Sequence, residues 1–262
     1  MSDIVLRPSG SSRWLKCPAS LVLEGKVKPV KSLMEAAAQG TAAHEILELC
    51  IKNNKIPRDY IGKTVEVYDE DQMEFPLYIK VDSEMVEALD FFLWCVDALD
   101  PDDVSEEFSE LSMEHSKLPN LRGTADYSRI SKDGRKLWLY DLKYGTSIVQ
   151  AQSRSGEVNT QLLSYCSLLF DKFPKLEYAE LAIIQPRGKT KKKFRQTLVT
   201  REDVETHVSN CSRALKTAEN ILNIVEPLDD HLKTGSHCHY CRAKEICPLR
   251  RKEQAEKLFG EN

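Results

Sequence analysis

The order of strand-like and helix-like segments is the feature that most constrains the fold of this chain. Three segments with strand character follow one another with no helical pattern between them: Val104–Met113, Leu121–Ile130 and Lys136–Lys143. Apolar residues recur at helical spacing before and after these segments, and two more strand-like segments precede the last helix. The remaining elements are helices at 33–52, 83–99, about 160–171 and about 201–224, and strands at Glu177–Gln185 and Phe194–Val199. This order predicts an α/β fold with a central mixed β-sheet flanked by helices.

Local signals predict where several of these elements begin and end. Ser83 can cap the start of helix 83–99. Thr200, followed three residues later by Asp203, has the pattern of a capping box for the last helix. The Lys-Asp-Gly-Arg segment at 132–135 predicts a turn between the second and third strands.

Composition and charge exclude several classes of protein. Hydrophobic residues make up 41% of the 262 residues, enough for a sizeable core, so a disordered chain is excluded. No apolar stretch approaches the roughly 18–20 residues of a membrane helix, and the first residues lack a secretory signal, so we expect a cytoplasmic protein without a membrane partner. The length suits one domain, with a core at about 33–224, an N-terminal segment at 1–32 and a tail at 231–262. A net charge of −4 excludes a purely electrostatic nucleic-acid binder but permits a local basic channel.

Two aspartates and a lysine lie on neighbouring strands. Asp141 and Lys143 are two positions apart and therefore share a strand face, while Asp126 lies on the preceding strand. A hairpin would bring the three side chains together, and a divalent cation such as Mg²⁺ or Mn²⁺ would relieve the repulsion of the two carboxylates. A lysine beside such an ion could orient a water molecule. The residues alone leave open a solvated strand face with one ion pair.

Asp126 and Asp141-Leu142-Lys143 resemble the signature of PD-(D/E)xK nucleases, in the form used by RecB-like exonucleases. Residues 40–48, which include His44, resemble the N-terminal helical motif of that subgroup, and 161–165 resembles its Q-x-x-x-Y motif. The resemblance implies a restriction-endonuclease-like core. It implies that Mg²⁺ or Mn²⁺ is held by His44, Asp126, Asp141 and the Leu142 carbonyl, that Lys143 is catalytic, and that Gln161 and Tyr165 support the site or line the DNA path.

Two residues near Asp126 qualify this interpretation. Ala125 precedes Asp126 where many members of the superfamily have proline, although RecB-like members often lack it. Glu110, on the strand before Asp126, could be an additional acid near the metal, but an exposed strand glutamate is the favoured interpretation.

Four of the eight cysteines have the spacing of metal ligands. Cys238, Cys241 and Cys247 form C-x₂-C-x₅-C near the C-terminus, and Cys17 is the natural fourth ligand. By chemistry alone, a [4Fe–4S] cluster and Zn²⁺ are equally acceptable, with nearby histidines permitting a mixed zinc site. Iron–sulfur RecB-like nucleases have one cysteine before the core and three after it, so the resemblance implies a [4Fe–4S] cluster joining the two ends of the chain. The other cysteines are interpreted as core residues: Cys50, Cys95, Cys166 and Cys211.

A basic segment at 187–195 lies between the last two strands. Five of its residues are candidates for phosphate contacts: Lys189, Lys191, Lys192, Lys193 and Arg195. A solvated hairpin is the alternative interpretation of such a charged run.

These features together predict a metal-dependent deoxyribonuclease, and more specifically an exonuclease resembling phage-encoded members. We expect it to act in recombination, repair or phage replication, in a bacterial or phage-infected cell. No P-loop is present in the sequence, so unwinding would need a helicase, and a single-strand annealing protein is another expected partner. The alternatives are an endonuclease of the same fold and a non-catalytic DNA-binding or scaffold subunit. The oligomeric state is left open.

Overall fold

The computed structural model describes residues 4–27, 31–68, 75–99, 103–223 and 231–259, without the side chains of 31–36. Four α-helices precede the large sheet: α1 (Ser11–Trp14), α2 (Ala19–Glu24), α3 (Lys31–Asn53) and α4 (Ser83–Ala98). Between α3 and α4 lie the two strands of a small sheet, β1 (Thr64–Val67) and β2 (Leu77–Lys80). The rest of the chain contains β3 (Val104–His115), β4 (Leu118–Ser131), β5 (Lys136–Leu142), α5 (Thr160–Lys172), β6 (Tyr178–Ile184), β7 (Phe194–Thr200), α6 (Arg201–Leu222) and α7 (Pro248–Phe259).

The large sheet has five strands in the order β3-β4-β5-β6-β7. β5 and β6 are parallel and are connected through α5, whereas every other neighbouring pair is antiparallel. The sheet is therefore mixed, and helices flank it, as the order of segments in the sequence predicts. The small β1–β2 sheet and the helix α7 in the tail are elements that the sequence patterns did not predict.

Apolar side chains on the two faces of the large sheet pack against different helices. On one face, residues such as Leu139 and Ile183 pack against Leu169 of α5 and Cys211 of α6. On the other face, residues of β5 that include Tyr140 and Leu142 belong to a core shared with α3 and α4. Strand β5 is buried on both faces because its side chains alternate between these two cores.

Side-chain caps fix the start of α4 and α6. Thr200 caps α6 through a reciprocal capping box with Asp203, as predicted. The prediction that Ser83 caps α4 is wrong: Asp82 is the N-cap, because its carboxylate accepts the backbone N–H of Met85. Gly134 occupies the left-handed region at φ +73° in the predicted turn between β4 and β5. The predicted end of the last helix at residue 224 lies outside the described residues.

None of the described helices combines the length and apolar character that crossing a membrane requires.

Candidate active site

The sheet opens between β4 and β5 at the predicted aspartates. Backbone pairing of these strands ends at Tyr127 opposite Tyr140, so Asp126 and Asp141 are the next residues in register but are not paired. Asp126 replaces the missing ladder bond with its side chain, whose Oδ2 accepts the backbone N–H of Leu142 at 2.7 Å. A buried carboxylate is thereby fixed where the two strands separate, and only 7% of its side chain is exposed.

Glu110 lies on β3, directly opposite Asp126 on the neighbouring strand β4. The flanking pairs are Ser109 with Tyr127 and Leu111 with Ala125, which places Glu110 opposite Asp126 although the two are not paired themselves. The backbone of Glu110 adopts φ +48°, a rare conformation for a residue other than glycine. Its Oε1 is buried and makes no hydrogen bond within the described part of the chain. The favoured interpretation of Glu110 as an exposed strand residue is wrong, since its side chain is 17% exposed and belongs to the site.

His44, on α3, completes a group of three possible metal ligands. Its Nδ1 lies 3.3 Å from Oδ1 of Asp126 and 3.6 Å from Oε1 of Glu110. One ligand atom from each of these three side chains lies within 4.8 Å of the others, and no other such group occurs among the described residues. Two carboxylates and an imidazole suit a divalent ion that accepts oxygen and nitrogen ligands, so this donor set fits Mg²⁺ or Mn²⁺.

Asp141 lies beside this group and pairs with Lys143 instead of joining it. The Lys143 Nζ donates a hydrogen bond of 3.1 Å to Oδ1 of Asp141 and lies 2.9 Å from Oδ2, the second contact lacking hydrogen-bond geometry. The two side chains therefore lie on one side of the strand, as their spacing predicts. Leu142, whose carbonyl is expected to bind metal, contributes its N–H to Asp126.

Gln161 and Tyr165 extend the site along α5. The amide of Gln161 accepts a hydrogen bond from Lys143 at 2.8 Å and donates one to the Tyr165 hydroxyl at 3.1 Å. Asn159 fixes the start of this helix, because its side chain accepts the backbone N–H groups of Gln161 and Leu162. The Q-x-x-x-Y segment thus contacts the lysine directly.

The charges in the site alter its protonation. Burial alone would lower the pKa of His44, but the carboxylate of Asp126 and then that of Glu110 raise it to about 10. Burial would raise the pKa of Asp126, and the opposing charge of His44 holds it below its ordinary value. Burial raises the pKa of Asp141 to about 6, against the charge of Lys143. Burial also raises the pKa of Glu110. In the absence of metal, a protonated imidazole balances the carboxylates.

Three of the four predicted ligand cysteines lie in or against a third apolar core, formed by α2, the end of α6 and the tail. Cys17 is buried in it, and Cys241 and Cys247 pack against it. Cys238 is also buried, and its thiol faces the carbonyl of Lys233 at 3.9 Å. No three of these sulfur atoms lie within 4.8 Å of one another. Tetrahedral zinc would hold its thiolates about 3.8 Å apart, so the arrangement does not fit a preformed zinc site. In a four-iron cluster each thiolate binds a different iron, so wider spacing is acceptable. The remaining four cysteines are buried, as predicted.

The basic segment has two kinds of residue. Lys189, Lys191 and Lys192 are exposed. Lys193 donates to the Gly188 carbonyl at 2.7 Å and is half-buried. Arg195 is 4% exposed, and its guanidinium donates to Oε1 of Gln185 and to the Lys192 carbonyl, each at 2.5 Å. These internal bonds argue against the expected phosphate contact by Arg195.

The segment begins at the sheet edge that carries the site. β5 and β6 are parallel, so Lys143 and the residues after Ile184 lie at the same edge. The Lys143 N–H donates to the Ile184 carbonyl at 2.9 Å, and the Lys189 N–H donates to the Thr146 carbonyl at 3.2 Å. The exposed lysines are thus carried by a loop that contacts the segment after Lys143.

Comparison with solved structures finds a weak likeness. A structure titled "Crystal structure of SSO0001" aligns over 95% of this chain and 88% of that chain, with 11% sequence identity and a TM-score of 0.38. A score of this size does not establish a shared fold. Residues 4–261, by contrast, match a family described as "Protein of unknown function (DUF2800)". Because the match spans almost the whole chain, the protein is a member of the DUF2800 family.

Proposed function

We propose that this protein is a divalent-metal-dependent deoxyribonuclease. The observation that carries the proposal is the group formed by His44, Glu110 and Asp126, whose ligand atoms lie within 4.8 Å of one another. The group lies beside Asp141, which is paired with Lys143. A group of possible metal ligands next to an amine held by a carboxylate is an arrangement that can support phosphodiester hydrolysis.

The residues of the site have separable roles in this proposal. His44, Glu110 and Asp126 hold Mg²⁺ or Mn²⁺, with Asp141 and the Leu142 carbonyl as further ligands on the facing strand. The bound ion supplies Lewis acidity toward the scissile phosphate. Asp141 and Gln161 hold the Lys143 amine from two sides. An ammonium group fixed in this way can orient the attacking water and offset charge that develops on the phosphate.

DNA is the proposed substrate because exposed cations lie on the loop beside the site. Lys189, Lys191 and Lys192 are exposed and can contact phosphates. The overall net charge of −4 disfavours binding over the rest of the surface. Binding that depends on a few lysines should weaken steeply as salt increases, because each neutralised phosphate releases counterions.

The proposed second cofactor is a [4Fe–4S] cluster held by Cys17, Cys238, Cys241 and Cys247. The support is that three of the four thiols lie in or against the third core, and that no three of the four sulfur atoms lie within 4.8 Å of one another as zinc would require. The cluster would have a structural role, joining the N-terminal segment to the tail.

The setting proposed for this activity is cytoplasmic DNA recombination, repair or phage replication, with an exonuclease acting beside a helicase or a single-strand annealing protein.

The test is a time course on end-labelled single- and double-stranded oligonucleotides with Mg²⁺ or Mn²⁺. Wild-type protein should degrade them, whereas Asp141→Asn and Lys143→Met should lose at least about a hundredfold in rate. Lys136→Met is the matched control, because this lysine lies at the opposite end of the same strand and pairs with Glu180. Linear and covalently closed circular DNA then separate an exonuclease from an endonuclease.

Equal degradation by the wild type and both site variants would identify a contaminant. DNA binding without cleavage under any divalent ion would support the non-catalytic subunit instead.

A further inference from the structure

A buried glutamine directly after β6 holds the loop that follows β5. Gln185 is fully buried, and its amide nitrogen donates to the carbonyls of Gly145 and Ser147, each at 2.7 Å. Its amide oxygen accepts the backbone N–H of Val149 at 3.1 Å and a hydrogen bond from the Arg195 guanidinium. Carbonyls only accept and a guanidinium only donates, so these partners fix the orientation of the amide. One side chain therefore holds the loop at three backbone positions.

The direction of the two carbonyls determines where two backbone N–H groups point. The described residues contain no cis peptide bond, and in a trans peptide the C=O and the following N–H point in opposite directions. The carbonyls of Gly145 and Ser147 face Gln185, so the N–H groups of Thr146 and Ile148 point away from it. Both residues are exposed, and neither N–H makes a hydrogen bond within the described part of the chain. Two parallel sets of bonds on the buried side thus leave two donors on the outer side of the loop.

Positive groups lie on both sides of this loop. Segment 145–148 begins two residues after Lys143. The Lys189 N–H donates to the Thr146 carbonyl at 3.2 Å, which brings an exposed lysine next to the segment. A Cβ added at Gly188 would lie 2.9 Å from Cδ of Gln185, so the lysine loop packs on the same glutamine. The two loops contain no acidic residue, and outward N–H groups between lysines favour an anion.

We propose that segment 145–148 binds a phosphate of the DNA strand next to the scissile phosphate. The backbone N–H groups of Thr146 and Ile148 donate to its oxygens, and Lys189 supplies the opposite charge. Gln185 is the positioning residue, because it holds the carbonyls inward. Backbone donors of this kind fix the register of a strand without reading its bases. The proposal rests on the proposed function, in which DNA is the substrate, and adds a phosphate subsite to it.

Methylphosphonate substitution tests the subsite, because it removes the charge of a single phosphate from the strand. A labelled oligonucleotide carries one methylphosphonate at each position in turn. Binding is followed by fluorescence anisotropy without divalent ions, so that no strand is cleaved. Wild-type protein should lose about tenfold in affinity at one position, as expected for hydrogen bonds to a charged group.

Two changes in the protein should remove this position-specific loss. Replacing Ile148 by its α-hydroxy acid exchanges the N–H for an ester oxygen and keeps the side chain. Gln185→Glu cannot donate to the two carbonyls, so the N–H groups lose their fixed direction. Both proteins should bind unmodified DNA about tenfold more weakly and lose less than about twofold more with the methylphosphonate, because protein and DNA changes remove the same contact.

Gln152→Glu is the matched control for the glutamine. Gln152 is exposed in the neighbouring loop, and its amide donates to the Gly156 carbonyl at 2.9 Å. This variant should keep the wild-type affinity and the wild-type loss with methylphosphonate. The hydroxy-acid protein retains Gln185 and therefore tests the contact even if Gln185→Glu does not fold.

An equal methylphosphonate loss in the wild type and in the hydroxy-acid protein would overturn the inference, because the two groups would then act independently. A loss spread evenly over all positions would overturn it as well. Position-specific binding by the wild type without cleavage under Mg²⁺ or Mn²⁺ would reject the nuclease activity and support the subsite. Absence of DNA binding by the wild type would reject both.

Discussion

At the scale of single residues, the chemistry of the site depends on how each side chain is held. Asp126 is fixed by a backbone N–H, Lys143 by Asp141 and Gln161, and His44 by contact with two carboxylates. Glu110 differs, because its Oε1 is buried with no hydrogen bond among the described residues. A buried carboxylate oxygen without a donor is costly unless a cation binds it. This makes Glu110 the most informative residue for testing metal binding.

Replacing Glu110 by glutamine should weaken metal binding without unfolding the protein. Loss of even an outer-shell partner typically costs about 10–100-fold in metal affinity, and loss of a direct ligand should cost no less. We therefore expect the rise in melting temperature caused by Mn²⁺ to be strongly reduced in Glu110→Gln. The metal-free variant should remain folded, because Asp126 still pairs with His44 after the contact with Glu110 is lost.

Glu106→Gln is the matched control, since this glutamate lies exposed on the same strand. Titration calorimetry with Mn²⁺ measures the affinities directly. Unchanged Mn²⁺ affinity in Glu110→Gln would show that Glu110 only balances the charge of His44.

At the scale of elements, two helices hold the site against the sheet. α5 carries Gln161 and Tyr165, and a buried polar contact joins it to α6: the Oγ of Ser164 lies 2.9 Å from Nε2 of His207. Because Ser164 donates its hydroxyl hydrogen to the Thr160 carbonyl, Nε2 of His207 must be the donor in this contact. Burial lowers the pKa of His207 to about 4. Burial therefore favours the neutral imidazole between these two helices.

The stability of the protein should fall as pH decreases through this range. In the unfolded chain His207 takes up a proton near pH 6.5, whereas in the folded protein it does so only near pH 4. The folded pKa is depressed, so the stability is fully present above about pH 6.5 and is lost as pH falls toward 4. Urea unfolding at pH 7 and pH 4.5 should show wild type losing about 2 kcal/mol more than His207→Gln. Parallel losses in the two proteins would contradict the assignment.

At the scale of the whole molecule, the N-terminal segment and the tail are joined next to the site. Glu24 is a metal-independent link, since its carboxylate accepts from the Arg13 guanidinium at 2.7 Å and from the backbone N–H of Arg242 at 2.8 Å. The N-terminal segment in turn contacts α5, where the Oγ of Ser11 lies 2.8 Å from Oγ1 of Thr160. Any cluster held by the four cysteines would therefore stabilise the region that supports α5.

Replacing Cys17 by alanine should remove the cluster. Protein purified without oxygen should be brown, with broad absorbance near roughly 400 nm and bound iron, and Cys17→Ala should lose both. Closing a loop of this length stabilises on the order of 5 kcal/mol in the disulfide analogy, so the melting temperature should also fall. Cys211→Ala is the control, because Cys211 is buried in the core between the sheet and α6. Stoichiometric zinc without iron would overturn the cluster.

Much of the architecture follows from local patterns in the sequence, and the site does not. Strand alternation, helical spacing and capping depend on residues that are close in the sequence. The succession of β3 to β7 along the chain, the capping box at Thr200 and the shared side of Asp141 and Lys143 could therefore be predicted. The position of Glu110 could not. A register shift in the β3–β4 hairpin, between Glu114 and His115, places Glu110 opposite Asp126. If the register that pairs His115 with Leu118 continued unshifted along the hairpin, Glu107 would lie opposite Asp126 instead.

Tertiary structure also decided which charged residues are available for chemistry. Arg195 belongs to the same basic segment as the lysines before it, yet the alternation of side chains along β7 buries it against Gln185. His44 reaches the carboxylates only because α3 packs beside the sheet where β4 and β5 separate. The sequence by itself determines the local conformations and the side chains that are available. Which side chains contact one another depends on strand register and on packing between distant segments, because those contacts form only in the complete fold.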